Sequence, residues 1–419
     1  MTHSIDRWLQ ERVLRRLESW SQGELIVELP DGTERRFGHP NGLPAAVLQV
    51  RDPRFFRRLA VDPDVGVGEA YVDGWWTSPE LPVLVAGFLL NQPHVSKGVE
   101  GLAGRPLRWL QRSRQWLRRN TRRGSQRNIH AHYDLGNDFF RLFLDESLAY
   151  SCAVFPEPSS TLEEGQRAKF EGICRKLRLG PRDHVLEIGC GWGGFAIHAA
   201  RETGCRVTGI TVSREQHALA RQRVREAALE GQVDIRYCDY RDVDGDFDKI
   251  VSIEMLEAVG ERYWDRFFKA VDRLLRRGGL ALIQVIAVPD QHFPAYRRSA
   301  GWLQQYIFPG GMLPSLYEMQ QSLRRVTRLE LHSVDEIGAH YARTLNLWRD
   351  RFWKNIDRVR ELGFDERFVR IWDYYLSLCA GTFSTHHNRD LQLVLTRPHN
   401  PDLFQIPGPS SQVAAASSR

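Results

Sequence analysis

Over residues 24–37 (ELIVELPDGTERRF) apolar positions alternate with polar ones around Asp31-Gly32, a pairing that predicts a β-hairpin. Residues 65–76 (VGVGEAYVDGWW) follow, rich in glycine and aromatics. From about 126 onward the pattern changes. Short apolar runs, 184–189 (HVLEIG), 206–211 (RVTGIT), 233–238 (VDIRYC), 247–254 (FDKIVSIE) and 280–288 (LALIQVIAV), read as buried strands. Stretches of helical period separate the earlier ones, as in Gln216–Leu229 and Trp264–Arg277. Such alternation predicts an α/β fold whose parallel sheet is covered on both faces. An insertion of about 289–330 follows the fifth run, and 391–396 (LQLVLT) reads as a closing strand. We therefore expect an accessory α+β domain at 1–125, a catalytic domain at 126–400 and a disordered tail at 401–419, rich in Pro, Ser and Ala. A chain of 419 residues is long enough for two domains, each with its own core.

Between Arg105 and Arg127 stand nine arginines and no acidic residue, with Trp109, Leu110, Trp116 and Leu117 at helical spacing. Two readings fit this basic amphipathic segment: a helix lying on an anionic membrane, or a solvated helix packing its apolar stripe on the next domain. The net charge of +6 suits an anionic partner, nucleic acid or membrane, although arginine-rich composition alone also produces it. The segment lacks the stacked aromatics and glycines of RNA-binding modules, so we expect no nucleic-acid partner. The longest apolar run, about Leu81 to Leu90, is far short of the roughly 20 residues that cross a bilayer. The first residues carry no signal-peptide core. Six cysteines at 152, 174, 190, 205, 238 and 379 form neither a CxxC pair nor a zinc spacing, so no metal is expected. Together these predict a cytoplasmic protein.

Residues 187–194 (EIGCGWGG) follow a strand and open a helix. Gly189, Gly191 and Gly194 satisfy G-x-G-x-x-G, a motif that dinucleotide enzymes share. A dinucleotide site needs an acid at the end of the second strand to hold the ribose. Here that strand ends Gly209-Ile210-Thr211-Val212-Ser213, without one. Glu187 instead precedes the glycines, in the E-x-G-x-G order of enzymes that bind S-adenosylmethionine.

Further motifs are 132–145 (HYDLGNDFFRLFLD), 150–155 (YSCAVF), 209–216 (GITVSREQ), 253–260 (IEMLEAVG), 306–315 (YIFPGGMLPS), 340–352 (HYARTLNLWRDRF) and 379–383 (CAGTF). In this order they resemble the cyclopropane-fatty-acyl-phospholipid synthases and the related mycolic acid cyclopropane synthases and methyltransferases, strongly over about 130–395. Residues 68–76 (GEAYVDGWW) resemble the N-terminal lipid-binding domain of the phospholipid-acting branch. The resemblance implies a class I S-adenosylmethionine-dependent methyltransferase fold, Rossmann-like with a seven-stranded mostly parallel sheet. It implies cofactor contacts at Tyr150 and Ser151, along Glu187, Gly189, Cys190, Gly191 and Gly193, at Thr211 and Gln216, and near Tyr240 and Arg241. It implies methyl transfer to an alkene carbon, then proton loss to a bound bicarbonate and closure of a cyclopropane ring. The same cation yields methyl-branched or methylene chains if the proton leaves elsewhere.

By the same resemblance the bicarbonate is held by Cys152, Glu257, Tyr341 and the backbone of Ile286. Gln284 stands where relatives often carry His, able to donate to an anion but not to titrate. Cys379 matches a cysteine once proposed as catalytic, although its apolar neighbours favour a buried structural thiol. An alkene is a poor nucleophile and its cation must be kept from water. His292, Phe293, Tyr296, Trp302, Tyr306 and Phe308, dense within the insertion, are the expected cation-shielding wall. The expected partners are an anionic phospholipid bilayer surface, at the inner face of the cell membrane, and unsaturated fatty acyl chains. A homodimer is left open.

Overall fold

In the computed structural model, residues 2–95, 135–298 and 301–403 are described. The basic segment Arg105 to Arg127 and residues 404–419 of the expected tail lie outside them.

The larger sheet is built from β5 (His184–Ile188), β6 (Arg206–Thr211), β7 (Val233–Tyr237), β8 (Phe247–Ile253), β9 (Leu275–Ala287), β10 (Glu330–Glu336) and β11 (Arg389–Thr396). Its order is β10-β11-β9-β8-β5-β6-β7. The five strands read from apolar runs, β5 to β9, are parallel neighbours, and β11 joins β9 antiparallel. The interiors of β5, β8 and β9 are nearly continuous in Val, Ile and Leu because helices bury both faces, whereas edge strand β7 alternates buried and exposed residues. β10, which the apolar pattern does not predict, pairs antiparallel with β11 at the edge. Its residues, ELHSVDE, are mostly exposed and only Leu331 packs on the core, so the apolar signal is too weak to read.

From β5 the chain proceeds outward to β6 and β7, then returns to lay β8 and β9 on the other side of β5. The order reverses between β5 and β8. In such sheets the crevice beyond the carboxyl ends of the strands at this point is where ligands bind.

The N-terminal part carries a smaller sheet of β1 (Glu24–Glu28), β2 (Glu34–Gly38), β3 (Ala46–Val50) and β4 (Trp76–Thr77), in the order β2-β1-β3-β4. β1 and β2 form the expected hairpin. The expected separate core is not what the structure shows: one apolar cluster runs from Leu14 and Val27 of this part through Phe139 to Trp372 and Phe383. The helix Pro63–Val72 approaches the catalytic part so closely that a Cβ on Gly68 would lie 2.5 Å from the Trp302 ring. Beside it the Tyr71 hydroxyl donates to Asp373 Oδ2 at 2.5 Å, and Arg349 and Trp353 donate to Oδ1.

Candidate active site

One cavity opens beyond the ends of β5, β6 and β8. Its floor is the loop leaving β5. Gly189, Gly191 and Gly193 all take positive φ, of 84°, 53° and 80°, which lets the chain turn sharply into the helix Gly194–Thr203. A Cβ on Gly191 would meet no protein atom within 4 Å, and Gly191 lines the cavity. Glu187, Gly189 and Cys190 line it too, whereas Gly193 is set back under the helix start, against Ala220. Glu187 is buried, burial pushes its carboxyl up to about 8, and its Oε2 has no hydrogen-bond partner among the described residues.

Thr211 ends β6 and Gln216 lies in the first turn of the following helix Arg214–Glu226, the two joined by a 2.8 Å hydrogen bond from the threonine hydroxyl to the amide oxygen. The turn after β7 brings Tyr240 and Arg241, the guanidinium held on both oxygens of Asp239 at 2.7 and 2.5 Å. Tyr150 and Ser151 close the near side. The Tyr150 hydroxyl pairs with that of Tyr375 at 2.7 Å. Ser151 Oγ accepts from Lys169, a fully buried lysine whose charge burial opposes. Ten of the eleven expected cofactor residues therefore share one cavity, Gly193 being the exception. The set fits S-adenosylmethionine: the unpartnered Glu187 oxygen suits its ammonium, and the helix N-terminus at Gly194 suits its carboxylate.

The residues expected around a bicarbonate are close together but surround something else. Cys152 N–H donates to Glu254 Oε1 at 2.8 Å, Gln284 Nε2 donates to the same oxygen at 2.8 Å, and the Tyr341 hydroxyl donates to Oε2 at 2.5 Å. Gln284 donates also to Asp390 and accepts from Gln392, so its amide is fully used. Ile286 N–H donates to Glu257 Oε1, 2.5 Å away. Glu257 thus joins neither Tyr341 nor Cys152. Bicarbonate does not fit this arrangement: the donors assigned to it already serve the side chains of Glu254 and Glu257, and two carboxyl groups would face its charge.

Glu254 was not among the expected residues, nor were Lys169 and Asp390. Glu254 lines the cavity with Glu187 and Tyr150. Burial raises the acid groups here: Glu257 reaches about 8 through burial and then the charge of Glu254, and Asp390 is pushed well above the carboxylate range for the same reasons. The Cys379 thiol does not line the cavity, and burial pushes it up to about 12, so it is a packing residue rather than a nucleophile. The Cys152 thiol is buried as well, and only its backbone takes part.

The expected cation wall is also corrected. None of the rings of His292, Phe293, Tyr296, Trp302, Tyr306 and Phe308 lines the cavity. Trp302 stacks on Tyr306 at 5.0 Å, and the Tyr306 hydroxyl donates to Glu69 of the N-terminal part. Phe293 packs on Trp264. Trp302 and Tyr306 thus fill the junction between the two parts of the chain, while His292, Phe293 and Phe308 pack within the catalytic part. The aromatic faces on the cavity belong to Tyr150, Phe170, Trp192, Phe195, Tyr240 and Tyr263.

Comparison with known proteins agrees with this geometry. The family described as mycolic acid cyclopropane synthetase matches residues 120–393. The chain is 38% identical over 404 residues to the tuberculostearic acid methyltransferase UfaA1 of Mycobacterium tuberculosis, covering 94% of this chain and 92% of that one. It is 38% identical over 364 residues to the cyclopropane-fatty-acyl-phospholipid synthase of Escherichia coli, covering 84% and 87%. Among solved structures, the mycolic acid cyclopropane synthase CmaA1 complexed with SAH and CTAB superposes with a TM-score of 0.61 at 31% identity, over 65% of this chain and 98% of that one. The chain belongs to the mycolic acid cyclopropane synthetase family of S-adenosylmethionine-dependent methyltransferases.

Proposed function

We propose that the protein adds a one-carbon unit from S-adenosylmethionine to the double bond of an unsaturated fatty acyl chain in a membrane phospholipid, giving a cyclopropane chain. One observation carries the reading: the cofactor loop after β5 and a buried, hydrogen-bonded carboxylate after β8 open on the same cavity. The bound cofactor supplies an electrophilic methyl group. The chain's own residues do the rest. Tyr150, held by Tyr375, presents a ring to a cationic centre. The apolar lining from Phe170, Trp192 and Phe195 keeps water from it. The carboxylate end of β8 stands ready for a proton.

The phospholipid substrate is supported by the Escherichia coli relative's name and by the breadth of the match, which includes the N-terminal part. The arginines from Arg105 to Arg127 would dock the enzyme on anionic lipid at the inner membrane face. No helix among the described residues is long and apolar enough to cross a membrane. A second reading, a methyl-branched or methylene chain, is favoured by the match to a tuberculostearic acid methyltransferase across 94% of this chain.

Incubating the protein with S-adenosylmethionine and vesicles of unsaturated phospholipid, followed by proton NMR of the extracted lipid, tests both. Upfield ring-methylene signals support cyclopropanation. Vinylidene or branch-methyl signals support the second reading. Unaltered lipid refutes both.

A further inference from the structure

We propose that the carboxylate of Glu254 is this enzyme's own base, standing where a bound bicarbonate would otherwise accept the proton. The inference rests on the acyl-chain reading above and adds to it the group that ends the reaction.

The carboxylate is held as an anion would be. Three donors from three separate elements converge on it: the backbone N–H of Cys152, the amide of Gln284 on β9 and the hydroxyl of Tyr341 on the helix Gly338–Lys354. Hydrogen bonds of this kind favour the charged form. Burial raises the Glu254 carboxyl too, but its three donors and Lys169 pull against that rise, whereas the neighbouring acids have less such support. Glu257 has a single backbone donor and an unpartnered Oε2, and Asp390 keeps an unpartnered Oδ1. Both are raised, Glu257 to about 8. Lys169, fully buried, supplies a balancing positive charge. The cluster thus gathers its hydrogen-bond donors on the acid that lines the cavity.

The backbone points the same way. Glu254 sits at φ 49°, in the left-handed region that glycine adopts freely and other residues enter only at a cost. Strain at a non-glycine residue on a cavity wall marks a side chain whose presence is needed there. Glu254 N–H donates to the Gln284 carbonyl at 2.8 Å, so the turn is anchored to β9.

The step balances without any further reactant. The π pair of the alkene bonds to the methyl carbon, and the carbon–sulfur bond breaks with its pair left on sulfur. The carbocation so formed on the other alkene carbon is closed by the electron pair of a C–H bond on the new methyl, making the third side of the ring. The released proton goes to a carboxylate oxygen of Glu254 and passes from there to water. If the proton comes instead from the adjacent chain carbon, the same base gives the branched alkene.

The test uses the full-length wild type, Glu254→Gly and Glu254→Gln, in carbon dioxide-free buffer with unsaturated phospholipid vesicles. Wild-type turnover should be the same with and without bicarbonate. Glu254→Gly relieves the backbone and uncovers the three donors; its rate should fall about 100-fold or more, the usual worth of a positioned base. Added bicarbonate or formate should restore it at least about tenfold, saturably, because the freed donors now hold the small anion. Glu254→Gln keeps the shape, fills the site, and should be inactive and beyond rescue. Calorimetric affinity for S-adenosylhomocysteine should stay within about threefold of wild type in both variants, since the loss belongs to the chemical step. Independently of any lipid substrate, 13C-labelled bicarbonate should bind Glu254→Gly and not the wild type. The proposal is overturned if wild-type turnover requires bicarbonate, if the wild type binds the labelled ion, or if Glu254→Gln turns over normally. A wild type that alters no lipid under any condition sinks the acyl-chain reading instead, and the binding measurement still decides the role of Glu254.

Discussion

Replacing Gly191 by valine separates cofactor binding from folding. The position has φ 53°, so a β-branched residue pays a backbone penalty, roughly 1–2 kcal/mol. Steric cost within the protein adds little, because a Cβ there meets no protein atom within 4 Å. Melting should therefore drop only a few degrees, at about 2–4 °C per kcal/mol for a domain of this size. The cavity is another matter. Gly191 forms its wall between Cys190 and Trp192, and valine's methyl groups would stand where the cofactor must approach the backbone. Affinity for S-adenosylhomocysteine should fall at least about 100-fold, equivalent to about 2.7 kcal/mol. Titration calorimetry gives the affinity, and circular dichroism and thermal melting show that the variant is folded. Gly191→Ala, sharing the backbone penalty with less bulk, should fall between. A folded Gly191→Val that binds within about threefold of wild type would refute the assignment of this loop, since no 100-fold steric effect would remain to be explained.

Three further outcomes follow from other parts of the molecule. Glu257, about 8 in the folded protein against 4.5 for the free group, binds its proton more tightly when folded, so its contribution is complete below about 4.5 and is lost as pH rises through about 8; melting temperature should decline over that window, and Glu257→Gln should flatten the slope, an unchanged slope showing that its carboxyl is not held protonated. Asp373→Ala strips Tyr71, Arg349 and Trp353 of their shared acceptor and should destabilise by about 3–5 kcal/mol in denaturant titration, a loss under about 1 kcal/mol showing that the junction does not depend on it. Replacing four of the arginines between Arg105 and Arg127 should weaken binding to anionic vesicles, at about 1 kcal/mol each, and lessen its salt dependence; sedimentation with vesicles that shows neither change would make the segment a linker.

The local parts of this enzyme were written along the chain. Buried strands declare themselves as short runs rich in Val, Ile and Leu, so β5 to β9 and β11 could be read directly, and the glycine loop is a short-range device whose backbone needs are met by its own residues. The identity of the family was likewise legible, because motif order survives where exact residues drift. What the chain could not declare was which side chains meet across it. Glu254, three residues before the acid expected to act, owes its role to Cys152, Gln284 and Tyr341, which lie up to 102 residues away in the chain. A lysine such as Lys169, on a helix with ordinary amphipathic spacing, looks like a solvated charge until the fold closes over it. The insertion's aromatics carry no mark of whether they face a cavity or a neighbouring part, and packing against Glu69, Gly68 and Tyr374 settled that for Trp302 and Tyr306 in favour of the junction. Edge strand β10, mostly exposed and touching the core only through Leu331, bears little imprint of burial on its sequence. Periodicity records burial; it does not record partners, and the charge state of a buried acid is set by partners, through desolvation and the donors that converge on it.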